Sequence, residues 1–155
     1  MPKVDLAAIP PTNATGYPPP YDADVAGRWY LRLAPAAGLT KLGASHVTLE
    51  PGAFSSQRHW HEGQDELVVM LEGEAVLIDD AGEQTVRPGD ILAFPAGQRN
   101  GHRLHNRSAA PCVFVAISGG AREDDRGEYP DIDMVFDADG YARRDGTRYA
   151  THRPA

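Results

Sequence analysis

The chain has 155 residues and a formal net charge of −7, a length that suits one domain burying its own core without staples. The acidic balance excludes a sequence-independent grip on nucleic acid, which needs clustered Lys and Arg. No run approaches the roughly 18 apolar residues of a membrane helix.

With 16 glycines and 13 prolines, the composition suits short strands joined by turns. The basic residues are nearly all arginine, Lys3 and Lys41 being the exceptions. The N-terminus Met1-Pro2-Lys3-Val4-Asp5 lacks the charged and apolar regions of a secretory signal, so a cytoplasmic protein is expected. A single cysteine, Cys112, rules out an intramolecular disulfide and a Cys-based zinc ribbon. Its place in the apolar run 112–116 predicts a buried, inert thiol.

Residues 1–27 are punctuated by Pro10, Pro11, Pro18, Pro19 and Pro20 and read as an extended arm lying across the body or a partner subunit. Candidate strands follow. Arg28–Leu33 alternates Trp29, Leu31 and Leu33 with more polar positions, and Thr40–Leu49 closes at Glu50-Pro51-Gly52. The stretch at His59 comes next, then Glu66–Leu71 and Glu74–Ile78, with Gly73 as a tight bend between those two. Asp79-Asp80-Ala81-Gly82 turns into Glu83–Val86, and Arg87-Pro88-Gly89-Asp90 into Ile91–Phe94. Gly101–Asn106 and Cys112–Ser118 complete the series. Strands this short, spaced about 8–12 residues apart, indicate an all-β sandwich or barrel, with no helix-period segment between 28 and 119. The charged run 122–128 reads as a solvated loop, and Asp131–Phe136 and Tyr141–Tyr149 as small strands docking on the body.

The chemistry concentrates in Gln57-Arg58-His59-Trp60-His61-Glu62-Gly63-Gln64-Asp65-Glu66. A strand sends residues i and i+2 to one face, so His59 and His61 point the same way. If Glu66–Leu71 is the next antiparallel strand, Glu66 returns beside them. Two imidazoles and a carboxylate suit a divalent Zn, Fe, Mn, Co, Ni or Cu ion. His102 and His105 lie on a later strand, where a further ligand could close the set. His105 is three residues from His102 and faces the other way on a regular strand. His46 and His152 have no evident partners.

On these residues the chain resembles the cupin superfamily. The first cupin motif is matched by Gly52, His59-Trp60-His61, Glu66 and Gly73, and the second by Gly89, Pro95-Ala96-Gly97, His102 and Asn106. Gly52 stands one residue farther from His59 than in the usual pattern. Four residues rather than two separate Gly97 from His102, leaving Asn100 at the customary histidine slot. The His-x-x-x-Asn spacing to Asn106 favours His102. Blocks 56–61, 94–97, 100–102, 106–108 and 144–149 look like a group of small single-domain bacterial cupins of largely unassigned activity.

The resemblance implies a cupin double-stranded β-helix, or jelly-roll barrel, over residues 28–120, with the arm before it and a C-terminal extension over 121–155. It implies a site of His59, His61, Glu66 and His102 holding a divalent transition metal, with Glu66 also a candidate catalytic base. The bland alternative is a degenerate cupin whose histidines only hydrogen-bond inside the barrel. Two positions left open on the ion would suit a small hydroxy or carboxy compound or a sugar. Dioxygenase, isomerase or epimerase, lyase and decarboxylase chemistries all fit, as does a non-catalytic binding or sensing protein. Gln57, Asn100 and Arg99 are possible substrate contacts, whereas Arg58 and Arg103 point outward by alternation. Glu66–Leu71 is apolar on both faces, so one face calls for a second sheet or another subunit, which suggests a homodimer.

Overall fold

The computed structural model describes residues 3–120 and 123–150; His152 and Arg122 lie outside them. Twelve strands are present among the described residues: β1 Arg28–Arg32, β2 Leu42–Leu49, β3 Trp60–His61, β4 Gln64–Glu72, β5 Ala75–Asp79 and β6 Gly82–Val86 are followed by β7 Ile91–Phe94, β8 Arg103–His105, β9 Cys112–Gly120, β10 Gly127–Tyr129, β11 Met134–Asp137 and β12 Gly140–Ala142. The exception to the all-β expectation between 28 and 119 is α1, Leu33–Ala36, a single turn after β1. It replaces the predicted end of the first strand. No helix among the described residues is long and apolar enough to cross a membrane.

The strands form a five-stranded sheet in the order β1-β2-β9-β4-β7, a three-stranded sheet β6-β5-β8, and a four-stranded sheet β12-β11-β10-β3. The first two face each other across the main core. Val47, Leu49, Val68, Met70 and Phe114 meet Ala75, Val86 and Leu104 there, all buried. Interdigitated inner faces of this kind make a β-sandwich; the sheets do not join into one closed hydrogen-bonded barrel.

The alternation in β1 has an unexpected sense. Tyr30 pairs with Val47 and Arg28 with Leu49, both of them buried partners. Tyr30 and Arg28 therefore face the interior while Trp29 is 37% exposed. The apolar alternation of the sequence marks the outer face of this edge strand.

The N-terminal segment is more than an arm. Thr12 bridges to Tyr30, and Tyr17 and Val25 are buried in a second core with Tyr129 and Met134. Burying those side chains ties the segment to the C-terminal extension as well as to the body. The charged run also departs from a solvated loop, since it passes into β10 and Asp125 is buried. Gly127 makes that possible: a Cβ there would come within 2.0 Å of the Trp60 carbonyl oxygen. Only glycine lets β10 lie this close to β3.

On the outer face of the five-stranded sheet, Leu71 and Ile91 are exposed. Leu67 and Val69 lie half-buried on the same side of β4.

Candidate metal centre

The histidine pair arrives from an irregular edge. His59 makes an isolated bridge to His102, its N–H donating to the His102 carbonyl at 3.2 Å and its carbonyl accepting from the His102 N–H at 2.9 Å. His61 sits in β3, which pairs with β10 rather than with β4. The expected hairpin between the His stretch and the Glu66 strand does not form. Residues 62–63 instead carry the chain from one sheet to another, and β4 pairs with β7 and β9. Glu66 meets the imidazoles across the sandwich.

The geometry converges on one carboxylate oxygen. Glu66 Oε2 lies 2.9 Å from His102 Nε2 and 3.7 Å from both His59 Nε2 and His61 Nε2. Ligands about 2.1 Å from a shared ion stand between about 3.0 and 4.2 Å apart, depending on the angle between them. Among the described residues, His59, His61 and Glu66 form the group whose ligand atoms all lie within 4.8 Å of one another. The expected fourth ligand, His102, stands outside that group and touches it through its hydrogen bond to Glu66. Asn100 turns away and engages Asp79 and the Asp80 backbone. A nitrogen-rich set with one carboxylate is chemistry that fits a borderline divalent transition metal.

Each ring is aimed by its other nitrogen. His59 Nδ1 meets the Gln57 carbonyl at 2.9 Å, and His61 Nδ1 meets Asp125 Oδ2 at 2.6 Å. A proton on Nδ1 directs the Nε2 lone pair to the centre. His102 Nδ1 has a longer 3.4 Å contact with the Asn100 carbonyl, and this ring stacks on Phe94 with centroids 3.5 Å apart. Its Nε2–H is the proton donated to Glu66, and the one a cation would replace. Tyr129 and Phe136 wall the other side against His59 and His61.

Electrostatics keep the site ready for a cation. Burial holds the His59 imidazole down at about 4, so it is neutral at pH 7. Burial pushes the Glu66 carboxyl up, but the His102 hydrogen bond and the nearby imidazoles outweigh it and hold the group at about 2. Cys112 is fully buried, with its thiol pushed up to about 11 by desolvation, and is no nucleophile at neutral pH.

Other predicted candidates take peripheral places. Gln57 is buried, and its side chain donates to Asp24 and to the Tyr21 carbonyl, anchoring the N-terminal segment. Arg99 is exposed over Trp60. Arg58 pairs with Asp131 and Asp80, clamping the C-terminal extension to the β5–β6 turn. His105 stacks on Phe54, and Asp65 accepts from the Ala96 N–H.

Sequence reasoning missed Asp125. Besides His61 it accepts the Gly63 N–H at 2.9 Å, so one carboxylate braces both the ligand and the turn that follows it. Its one cue in the sequence is Gly127, a glycine at a close backbone approach. The cluster opens on a cavity of 320 Å³ lined by His59, Glu66 and His102 together with Arg28, Tyr30 and Ser45. That volume suits a small molecule.

Comparison with known proteins agrees with this fold. The Cupin domain family matches residues 45–118. A sugar phosphate isomerase from a cupin superfamily, from Silicibacter pomeroyi, is 44% identical and superimposes with a TM-score of 0.89 over 96% of this chain and 97% of its own. A protein from Acidithiobacillus ferrooxidans, provisionally named a sugar phosphate isomerase, is 23% identical with a TM-score of 0.69 over 81% of each chain. The polyketide cyclase RemF from Streptomyces resistomycificus is 19% identical, with a TM-score of 0.60 over 81% of this chain and 83% of its own. These last two show the fold alone. Among curated proteins none matches the sequence.

Proposed function

This chain belongs to the cupin superfamily, and from that premise we propose that it is a metal-dependent isomerase of a small hydroxylated substrate. The observation that carries the reading is the convergence of three imidazole Nε2 atoms on the Glu66 carboxylate at the wall of a cavity. The Silicibacter relative supports a sugar phosphate as the substrate class.

His59, His61, His102 and Glu66 would hold the divalent cation, which when bound supplies Lewis-acid polarisation of a substrate oxygen. The protein's own groups do the remaining work. Gln57 and Asp125 hold His59 and His61 in one orientation, and Phe94 excludes water from one face of His102. Glu66 is the only carboxylate among the described residues lining the cavity. It is therefore the group placed to take a proton from one substrate carbon and return it to the next. Held at about 2, Glu66 is a weak base in the free site. That role requires Glu66 Oε2 to be freed from the cluster as the substrate binds.

A non-catalytic binding or sensing protein is favoured by one observation: among the described residues no second carboxylate lines the cavity as a partner acid. We also propose that two copies pair through the outer face of the five-stranded sheet, where Leu71 and Ile91 are exposed.

Metal analysis of purified wild type beside His59→Ala and His102→Ala tests the centre. Wild type is expected to hold a divalent ion and both variants to lose it; metal-free wild type that cannot be reconstituted overturns the reading. Retention of metal by His102→Ala would remove that residue from the set. Incubation with aldose and ketose phosphates then separates the two classes, since a thermal shift without turnover supports the binding protein.

A further inference from the structure

We infer that Arg28 receives the anionic group of the substrate, at a subsite in the same cavity as the imidazole cluster. The inference rests on the small-substrate reading above and adds the charge of the molecule bound. It comes from β1, whose interior face carries Arg28 and Tyr30.

A guanidinium facing a core is costly unless its charge and donors are matched. Arg28 is poorly matched. Its Nη1 donates to the Ser55 carbonyl at 2.8 Å, and that is its sole hydrogen bond among the described residues. Its Nε is buried with no partner. No ion pair joins it to a carboxylate of the described residues, although the arginines at 58, 107, 144 and 148 all have one. The guanidinium lies over the Tyr30 ring, 5.5 Å from its centroid.

The pattern of used and unused donors specifies the ligand. With Nη1 spent on Ser55, the edge formed by Nε and Nη2 is left unpaired, its Nε buried. That edge offers two parallel N–H groups, the arrangement that grips a carboxylate or phosphate bidentately. Ser45, also facing inward from β2, lines the same cavity with a hydroxyl that makes no hydrogen bond to the described residues. Arg103, the other arginine with an unpaired buried Nε, is a weaker candidate. It lines the same cavity and lies over Phe54, but its charge is offset by the nearby Asp131 and Asp24 carboxylates. An oxyanion on Arg28 leaves the rest of a small molecule to extend along the cavity toward Glu66.

Calorimetric titration of the metal-loaded protein with inorganic phosphate, lactate, fructose 6-phosphate and fructose tests this. Wild type is expected to bind fructose 6-phosphate at least tenfold more tightly than fructose. Arg28→Met should abolish that difference while leaving metal content and fructose affinity unchanged. Arg28→Lys keeps the charge but loses the fork, and a fructose 6-phosphate affinity below that of wild type yet above that for fructose supports the subsite even if the Met variant fails to fold. Preference for lactate over phosphate would assign a carboxylate substrate, and the reverse a phosphate ester; either supports the subsite. Equal oxyanion affinity in wild type and both variants overturns it. If fructose alone is isomerised irrespective of Arg28, the subsite fails and the isomerase reading stands. Oxyanion binding lost in the variants of a protein that holds no metal would uphold the subsite and sink the isomerase.

Discussion

Asp125→Asn separates the role of the C-terminal extension in orienting a ligand from its role in stability. The two carboxylate oxygens have different partners: Oδ1 accepts from the Gly63 N–H at 2.9 Å, and Oδ2 contacts His61 Nδ1 at 2.6 Å. An asparagine must keep its carbonyl toward Gly63, because its NH2 there would oppose another donor. The amide NH2 then faces His61 Nδ1 and turns that nitrogen into an acceptor, which moves the ring proton to Nε2. That nitrogen is the one 3.7 Å from Glu66. Loss of a partner that sets the tautomer of a ligating imidazole costs about 10–100-fold in metal affinity, or about 1.4–2.8 kcal/mol. Shape and the Gly63 bond are kept, so stability should change by about 1 kcal/mol or less, about 2–4 °C in Tm for a chain this long. Chelator competition on metal-stripped protein reads the affinity, and thermal denaturation reads the fold. A variant that binds the cation as tightly as wild type refutes the tautomer argument. Asp125→Ala serves as the contrast, leaving two buried donors unpaired at about 1–3 kcal/mol each.

Acidification should destabilise the metal-free protein in two stages. His59 takes its proton near 6.5 when unfolded but at about 4 when folded, so the unfolded state binds more protons between those values and stability drops as the pH is lowered through them. Glu66 continues the trend from 4.5 down to about 2, because its folded carboxyl is the stronger acid. Urea midpoints of stripped protein should be flat above pH 7 and decline below 6.5, whereas a rise on acidification would contradict both assignments. Gly127→Ala should cost about 2–4 kcal/mol, since its Cβ meets the Trp60 carbonyl, and should weaken metal binding by displacing Asp125; denaturant melts and chelator titration measure the two effects. Ile91→Lys places a charge on the outer sheet face, where Ile91 is 64% exposed. Sedimentation should then show a shift toward monomer with an unchanged melt, and a wild type that is already monomeric would end the pairing proposal.

Much of this protein was legible from local pattern. Gly and Pro punctuation located most strands, because turns need backbone conformations that few residues adopt, as Gly73 shows at φ 67°. The spacing of His59 and His61 placed both rings on one side, because extended backbone alternates its side chains regardless of context. Which strands then paired was a matter of long-range packing. Glu66 came to the imidazoles from a different sheet, not by a hairpin, and the inner face of β1 proved to be Arg28 and Tyr30. Asp125 reached His61 from 64 residues away. Local alternation says that two faces exist; only the buried partners across the ladder decide which one faces the core. The sequence by itself thus determined the His and Glu residues of the candidate site and the strand-rich fold. Tertiary structure alone brought the brace on His61 and the unmatched cation of Arg28 to the same site, because contacts so distant in the chain leave no periodic trace in it.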